Sequence, residues 1–418
     1  MKILVVSQFN KDSKYGGGES VVTFQQVKSL VEHGHQVAVL THGHENKVIF
    51  DQETNIVFIF AQTLGEPPFG YMPLSKKQFQ FLEQAVLEFQ PDVIHSHTMN
   101  YLALMVQGFA LKHKFKFLYT THELPDKLVH FFRYGKTLQT LTSYFVKLLV
   151  KAFLTNVDKI LAINEASKES TLRLNYRGQI DVVHNGVEVK LFQHLKENFP
   201  SDKVSLYFVG GINDRKNQSF LIETFKYLPQ NYFLHLIGEY DKIYKLKIDK
   251  LISENNLLDN IIFVGNVKNN LLPQAIKDHH VFVSASKMEV QSVAVIEALA
   301  AAKPIVALKN ETIEEIATGD FVTMLPQETS PEEFAKSILE MVEHKSRYLI
   351  RAKEAREISR KYSKETAYEL NILSYKTTKI SKNRNFDAYK TSMFFYSVSV
   401  GSLYRIKNLL NHFGLWIS

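Results

Sequence analysis

Residues 281–304 read VFVSASKMEVQSVAVIEALAAAKP, and their pattern indicates the architecture of the chain. The stretch opens on a short apolar run, Val281–Ser284, which is typical of a buried strand. A polar loop containing Glu289 follows, and the pattern then predicts a helix from about Gln291 to Ala301. The next apolar run, Ile305–Leu308, predicts another strand. A strand, a covering helix and a second strand in succession are the unit from which doubly wound parallel sheets are built.

The same alternation continues on both sides of a polar segment, Glu188–Lys203. The runs are rich in Val, Ile and Phe and nearly continuous in apolarity, as expected for strands buried on both faces of a parallel sheet. Before the segment, the predicted strands are Ile3–Ser7, Val37–Thr41, Ile56–Phe60, Val93–His97, Phe115–His122, Ile160–Asn164 and Val182–Asn185. After it, they are Leu206–Gly210, Phe233–Gly238, Ile261–Gly265, Val281–Ser284 and Ile305–Leu308. Helical spacing appears between strands, as in Glu19–His33 and Gln78–Phe89.

A chain of 418 residues is too long for one ordinary core. We therefore predict an α/β fold with two Rossmann-like, doubly wound parallel-sheet domains, residues 1–190 and 191–365, joined by the polar segment. Ser75 with Gln78 is a predicted capping box, and Ser330 with Pro331 and Glu333 is a predicted helix start. Residues 366–418, helical and then aromatic, are expected to pack back on the N-terminal domain. Ligands of such sheets bind at the carboxyl ends of the strands, so an interdomain cleft is expected to hold the site.

Composition limits the classes of function. The chain has no cysteine, which excludes disulfides and thiolate chemistry, and its net charge of +7 favours an anionic partner. No long Lys/Arg block occurs, so nucleic acid is not expected to be a partner. No stretch of about 18 apolar residues predicts a transmembrane helix. A cytoplasmic protein is expected, and a place at the inner face of the membrane is left open.

Two loops that follow strands could contact an anion. Gly16, Gly17 and Gly18 stand just before a predicted helix, where a glycine-rich backbone can approach a phosphate; a merely flexible loop is equally open. The pattern is not G-x-G-x-x-G, so the dinucleotide fingerprint is absent. In the second half, Arg215 and Lys216 lie between a strand and a helix. They could neutralise a diphosphate, although a solvated loop explains them as well.

The 281–304 stretch itself carries two acids eight residues apart. Glu289 is predicted in the loop at the start of the helix, where Val290, Gln291 and Ser292 offer backbone N–H groups to an anion. Glu297 lies within the helix among apolar neighbours. A carboxylate there is costly unless it is satisfied, and a ribose diol would satisfy it. An exposed helix stripe is the alternative.

Histidines end two neighbouring predicted strands. His95 and His97 are spaced so that both rings share one face, and His122 ends the next strand. This spacing is compatible with zinc, but no third ligand is evident, so we favour hydrogen bonds to sugar hydroxyls.

Taken together, the motifs resemble those of family 4 glycosyltransferases, which are retaining enzymes of the GT-B fold. The resemblance covers about residues 1–345, and the motifs occur in the order of the family. They are Gly16–Glu19, Pro91–His97, Thr120–His122, Val183–Val187, Val209–Lys216, and Glu289 with Glu297 followed by Pro304. The two glutamates, at that spacing between a strand and a helix, are the most specific element.

The resemblance implies an acceptor in the N-terminal domain and a UDP- or GDP-linked sugar in the C-terminal domain. It implies that Glu289 binds sugar hydroxyls near the reacting carbon, that His122 touches the transferred sugar, and that Glu297 holds the ribose. The other residues assigned to the donor are Gly17, Gly18, Arg215, Lys216, Val290, Gln291 and Ser292, and His97 is assigned to the acceptor. The family typically needs no metal, so no metal or other cofactor is expected.

Three positions depart from the family pattern. Gly211 stands where an arginine is usual, Val290–Ser292 replace Gly-Phe-Gly, and Ala302 replaces a common glycine. These departures leave room for an altered donor or weak activity. They keep open two rivals, a sugar-nucleotide epimerase of the same fold and a non-catalytic nucleotide-sugar-binding protein.

The acceptor is predicted to be a glycan or a lipid-linked molecule. The segment Leu138–Leu154 is apolar on one side and carries Lys147 and Lys151 on another, which fits a peripheral membrane contact. A helix that merely covers the sheet fits equally well.

Overall fold

A computed structural model describes residues 1–8, 18–63, 75–126 and 136–394, with side chains throughout except at 18 and 136–145. The chain forms two compact units. Unit 1 contains residues 1–184 and the chain from residue 367 onward, and unit 2 contains residues 185–366. Both are α/β units built on a parallel sheet, which confirms the predicted fold class. The cleft predicted between them stays a prediction.

Unit 1 has a sheet of eight strands in the order β3-β4-β2-β1-β5-β6-β7-β8, parallel except for β3. The strands are β1 (Lys2–Val6), β2 (Gln36–Gly43), β3 (Lys47–Asp51), β4 (Ile56–Gln62), β5 (Val93–Ser96), β6 (Lys116–Thr121), β7 (Lys159–Ala162) and β8 (Gln179–Val182). The helices are α1 (Gly18–Glu32), α2 (Lys76–Phe89), α3 (Tyr101–His113), α4 (Lys136–Thr155) and α5 (Glu165–Arg173).

The sheet of unit 1 is covered on both faces, as its central strand β1 shows, because β1 is apolar at every position from Ile3 to Val6. In β1, Leu4 and Val6 face one cluster that includes Phe109 and Phe153, contributed by α3 and α4. Ile3 and Val5 face the other cluster, which includes Val27 and Leu30 of α1. Side chains of a strand alternate between faces, so a continuous apolar run requires two layers of helices.

Unit 2 has a fully parallel sheet of six strands in the order β11-β10-β9-β12-β13-β14. The strands are β9 (Val204–Val209), β10 (Tyr232–Ile237), β11 (Ile261–Gly265), β12 (Val281–Ser284), β13 (Ile305–Leu308) and β14 (Val322–Leu325). The helices are α6 (Gln218–Thr224), α7 (Lys242–Glu254), α8 (Leu272–Ile276), α9 (Val293–Ala300), α10 (Glu311–Ile316), α11 (Pro331–Val342) and α12 (Lys345–Ser359); α13 (Lys364–Thr377) ends in unit 1.

Helix starts are fixed by short polar side chains. Helix α11 begins as predicted, with Ser330 as its cap and Pro331 at its first position, and Ser330 and Glu333 in addition form a capping box. Ser75 caps α2 by accepting from Gln78 N at 3.1 Å, as predicted. The reciprocal half of a capping box is absent there, because the Gln78 side chain donates to Gln62 O and accepts from Asn46 instead.

Several predicted boundaries were wrong. The polar segment Glu188–Lys203 is not a free linker, because Phe192 and Leu195 are buried in the core of unit 2. A strand was predicted at Val182–Asn185, but β8 (Gln179–Val182) ends at the first residue of that range. Strands β3 and β14 were not predicted. Both lie at the edge of a sheet, where one side of the strand is open and the sequence need not be apolar throughout.

The end of the described chain packs on unit 1. Tyr375 of α13 is fully buried in the cluster that contains Ile3 and Val5. Further along, Arg384 forms an ion pair with Asp158, whose side chain has no exposed surface. The predicted aromatic residues beyond 394 lie outside the described residues. Within the described ranges, no helix is long and apolar enough to cross a membrane.

Candidate active site

In unit 2, the loop that carries Lys216 contacts the loop that carries Glu289, although the two are more than 70 residues apart in sequence. Lys216 is positioned by its backbone N–H, which donates to the Asn213 side chain at 3.2 Å just before α6. Its ammonium forms an ion pair with the Glu289 carboxylate, and their side chains are 12% and 11% exposed. The structure thus brings together two residues that the sequence assigned to one ligand.

Arg215 joins the same pair from the side of solvent. Its guanidinium lies 3.7 Å from the second carboxylate oxygen of Glu289 and donates to Met288 O at 3.1 Å. The backbone of Lys287 donates to Arg215 O at 3.0 Å, so the two loops are tied together. Two cations therefore converge on one carboxylate at the carboxyl ends of β9 and β12, the edge at which ligands of parallel sheets bind.

The electrostatics of this cluster are set by burial. Burial lowers the pKa of Lys216, the Glu289 carboxylate opposes that shift, and Arg215 adds to it. Glu289 thus favours the charged form of Lys216. A second anion, such as a diphosphate, could replace the carboxylate as the partner of Lys216 and leave Glu289 available for other hydrogen bonds.

The loop that follows Glu289 differs in part from the prediction. The helix α9 begins at Val293, not at Gln291. The Ser292 N–H is not free, because it donates to Thr312 Oγ1 at 3.0 Å. The Gln291 side chain accepts from Asn185 N at 2.6 Å, which ties the start of unit 2 to this loop. The predicted free N–H at Ser292 was therefore wrong, and donor contacts by Val290 and Gln291 stay predictions.

Glu297 lies on α9 and is buried, with 8% of its surface exposed. In the described part of the chain no hydrogen bond or ion pair reaches its carboxylate. Burial raises the pKa of Glu297 to about 8. The alternative of an exposed helix stripe is thereby excluded. A buried carboxyl without a protein partner is suited to a ligand that brings hydroxyl groups.

Three histidines of unit 1 lie together: His97 is hydrogen-bonded to His122, and the ring of His95 packs beside that of His97. Tyr375 Oη and Thr120 Oγ1 bind the two ring nitrogens of His95 at 2.7 and 2.6 Å. His97 Nδ1 and His122 Nε2 are 2.9 Å apart, and the His95 and His97 ring centres are 4.3 Å apart. The fully occupied ring of His95 makes it a positioning residue rather than a ligand for substrate.

These rings are neutral at physiological pH. Burial lowers the pKa of His122 to about 4 and that of His97 well below its ordinary value. His97 Nε2 is buried and has no hydrogen-bond partner. Neutral imidazoles can both donate to and accept from hydroxyl groups, which is the chemistry expected at a sugar-binding site. Among the residues that the structure describes, no group of three or more His, Asp or Glu could hold a metal ion.

Sequence reasoning gave no role to a buried acid at the start of α1. Burial, with the nearby charge of Glu123, raises the pKa of Glu19 to about 8, and its Oε1 is buried without a partner. The signal was present, since Glu19 follows the glycine-rich loop at a strand's carboxyl end. Gly17 lies outside the described residues, and Gly18 is the first residue of α1.

The helix proposed for membrane contact is α4. Lys147 and Lys151 are exposed on it, whereas the side chains of Leu141 and Phe145 lie outside the described ones. The membrane contact stays a prediction.

Two family models match this chain. The model "Glycosyltransferase Family 4" matches residues 16–191, and "Glycosyl transferases group 1" matches residues 189–365. An uncharacterised glycosyltransferase of Methanocaldococcus jannaschii is 26% identical over 50% of this chain and 56% of its own length. A phosphatidylinositol N-acetylglucosaminyltransferase subunit of Arabidopsis thaliana is 20% identical over 81% of this chain and 73% of its own length.

The matched part also spans 54% of the alpha-monoglucosyldiacylglycerol synthase of Streptococcus pneumoniae, so the chain matches about half the length of two of these three curated relatives. Among solved structures, sucrose-phosphate synthase of Thermosynechococcus elongatus superposes with a TM-score of 0.70 at 21% identity, covering 90% of this chain and 98% of that one. HepE of Anabaena, in complex with UDP, gives 0.69 at 16% identity, covering 90% and 100%. These structural likenesses show the fold.

Proposed function

Because this chain belongs to glycosyltransferase family 4, we propose that it moves a sugar from a nucleoside-diphosphate sugar to a hydroxyl acceptor, with retention of anomeric configuration. The observation that carries the proposal is the cluster of Lys216, Arg215 and Glu289, with the unpartnered carboxyl of Glu297 eight residues further on. Two cations, one of them buried, match a diphosphate, and the two acids match hydroxyl groups.

In the proposed reaction, the bond between the sugar C1 and the diphosphate oxygen breaks, and negative charge develops on the leaving nucleoside diphosphate. Lys216 and Arg215 would stabilise that charge, in a place where burial strengthens the interaction. Glu289, released from Lys216, would bind hydroxyls of the sugar, and Glu297 would bind the ribose. The acceptor oxygen would attack C1 on the same face, and the departing phosphate would take its proton.

The donor is proposed to carry UDP or GDP. UDP is supported by HepE, which was solved with UDP and with UDP-glucose. In unit 1, we assign His122 to the transferred sugar and His97 to the acceptor, because both rings are neutral and one nitrogen of His97 has no partner. No metal is assigned to the reaction.

The acceptor is proposed to be a lipid-linked or growing surface glycan. The support is that relatives are named as an alpha-monoglucosyldiacylglycerol synthase, as part of a phosphatidylinositol N-acetylglucosaminyltransferase and as a capsular polysaccharide biosynthesis glycosyltransferase. Exposed Lys147 and Lys151 on α4 would favour an anionic membrane surface. The protein would then act in the cytoplasm at the inner face of the membrane.

A thermal-shift screen of UDP- and GDP-sugars tests donor binding, since a ligand that binds only the folded state raises the melting temperature. The donor that binds is then assayed for nucleotide release with and without glycan or glycolipid acceptors. Glu289→Gln and Lys216→Met should each lower turnover by about a hundredfold or more, as loss of transition-state charge stabilisation does. Lys287→Met, in the same loop but paired with Asp214 at 3.0 Å, is the matched control.

The outcomes separate the rivals. Acceptor-independent release would indicate an epimerase or a hydrolase rather than a transferase. Binding that survives Glu289→Gln without any turnover in the natural protein would indicate a non-catalytic binder, a possibility that Gly211 keeps open. If no nucleotide sugar stabilises the protein, the proposal fails at its first step.

A further inference from the structure

The outermost strand of the unit 1 sheet is β3, and it is unusually apolar for an edge. β3 pairs with β4 on one side, in an antiparallel register that runs without a shift from Lys47 to Asp51. No further strand of the described chain pairs with its other side. Its three central residues are exposed: Val48 by 50%, Ile49 by 41% and Phe50 by 56%.

Open strand edges present unpaired backbone N–H and C=O groups, and proteins ordinarily protect them with prolines, bulges or inward-pointing charges. β3 has no proline and no bulge, and its charged residues stand at its two ends. Three consecutive exposed apolar residues on such an edge form a ready surface for pairing with another strand.

The sequence of β3 is complementary to itself. Read as Lys-Val-Ile-Phe-Asp, it places a cation at one end and an anion at the other. In an antiparallel pair of two β3 strands centred on Ile49, Lys47 stands opposite the second copy's Asp51, and Val48 stands opposite the second copy's Phe50. A parallel pair would instead set like charges opposite each other, which is unfavourable.

We propose that β3 is the dimer interface of this protein: two copies pair their β3 strands antiparallel about a two-fold axis through Ile49, and the two unit 1 sheets become continuous. We take the partner to be a second copy of the chain because β3 is complementary to itself in this register, and a two-fold interface requires self-complementarity. β-branched and aromatic side chains opposite each other are favourable cross-strand pairs.

The end charges select the register more than they supply affinity. Lys47 already lies 3.1 Å from Glu45, and Asp51 already accepts from Glu53 N at 3.1 Å. Exposed pairs of this kind contribute little free energy but discriminate between alignments. The backbone bonds and the apolar side chains of the three central residues therefore hold the dimer.

Cysteine cross-linking tests the axis directly, because the natural chain has no cysteine. Opposed residues of an antiparallel pair have Cα atoms about 4.5–5.5 Å apart, which is within the range of a disulfide. Ile49→Cys should therefore give a covalent dimer on mild oxidation. Ile243→Cys, 81% exposed on α7 of unit 2, is the control and should remain mostly monomeric. Equal cross-linking of the two variants would overturn the proposal.

Sedimentation velocity supplies the second measurement. The natural chain should sediment as a dimer at micromolar concentration, and Ile49→Lys, which sets two ammonium groups against each other on the axis, should weaken the dimer at least tenfold. Ile243→Lys should leave the mass unchanged. Both positions are exposed, so each variant should fold. Ile243→Lys should melt as the natural chain does, and Ile49→Lys should lose only the stabilisation that dimer formation gives. A monomeric natural chain, or a dimer that persists in Ile49→Lys, would refute β3 as the interface.

Discussion

The Glu297→Gln variant should become increasingly stable relative to the natural protein as the pH rises, and the difference should arise in unit 2. The carboxyl has no protein partner, and burial raises its pKa from the ordinary value of 4.5 to about 8. Between these two values the folded protein keeps a proton that the unfolded chain has lost. The contribution of this carboxyl to stability is then fully present below pH 4.5 and is lost as the pH rises towards 8.

The expected size follows from linkage. Each pH unit inside the window costs about 1.4 kcal/mol of unfolding free energy for one carboxyl. Between pH 5.5 and 7.5 the natural protein should therefore lose about 2–3 kcal/mol relative to Glu297→Gln, which carries no titrating group at this position. Solvent screening does not lower this free-energy difference appreciably, because Glu297 is only 8% exposed.

The measurement is urea unfolding of both proteins at several pH values without ligand, followed by a signal from unit 2. Subtracting the two curves cancels every titrating group that they share. Glu340→Gln, which replaces an exposed glutamate on α11, serves as the control for the loss of one carboxyl. A difference that stays constant from pH 5.5 to 7.5 would show that the anion of Glu297 is already satisfied in the ligand-free protein.

Two further predictions concern the return of the chain to unit 1. Tyr375→Phe removes a hydroxyl that lies 2.7 Å from His95 Nδ1 and 3.0 Å from Gln26 Nε2, and should lower the unfolding free energy by about 1–3 kcal/mol in chemical denaturation. Arg384→Met leaves the buried Asp158 carboxylate without its cation and should cost about 3–5 kcal/mol. For that variant, a melting temperature equal to the natural one would contradict the pairing.

The buried framework of the fold could be predicted from sequence, because a strand covered on both faces must be apolar at nearly every position. Val281–Ser284 and Ile305–Leu308 were predicted with their observed bounds. Edge strands obey no such rule. β3 pairs with a neighbouring strand on one side only, and its apolar residues are exposed. It therefore lacks the pattern of buried residues by which the central strands were predicted.

The candidate site was predictable where its residues follow strands that end at one edge of the sheet, and not where a contact depends on how a helix packs. Their positions after strands suggested Lys216 and Glu289 as site residues, and the family resemblance assigned both to one nucleotide sugar. The structure places them in contact, and their roles stay predictions. The hydrogen bond from Ser292 to Thr312 could not be foreseen, since it joins residues 20 apart whose approach depends on how α10 packs. The partner of His95 is more distant still, at Tyr375.

Unit 1 is assembled from the first and last parts of the chain, with unit 2 between them. During synthesis, therefore, the ribosome releases Tyr375 and Arg384 only after all of unit 2 has emerged. Until then His95 lacks its tyrosine and Asp158 lacks its cation, whereas unit 2 has every residue it needs. A chain truncated after unit 2 would lack the last segment of unit 1. Its unit 1 would then stay incomplete and be exposed to proteolysis.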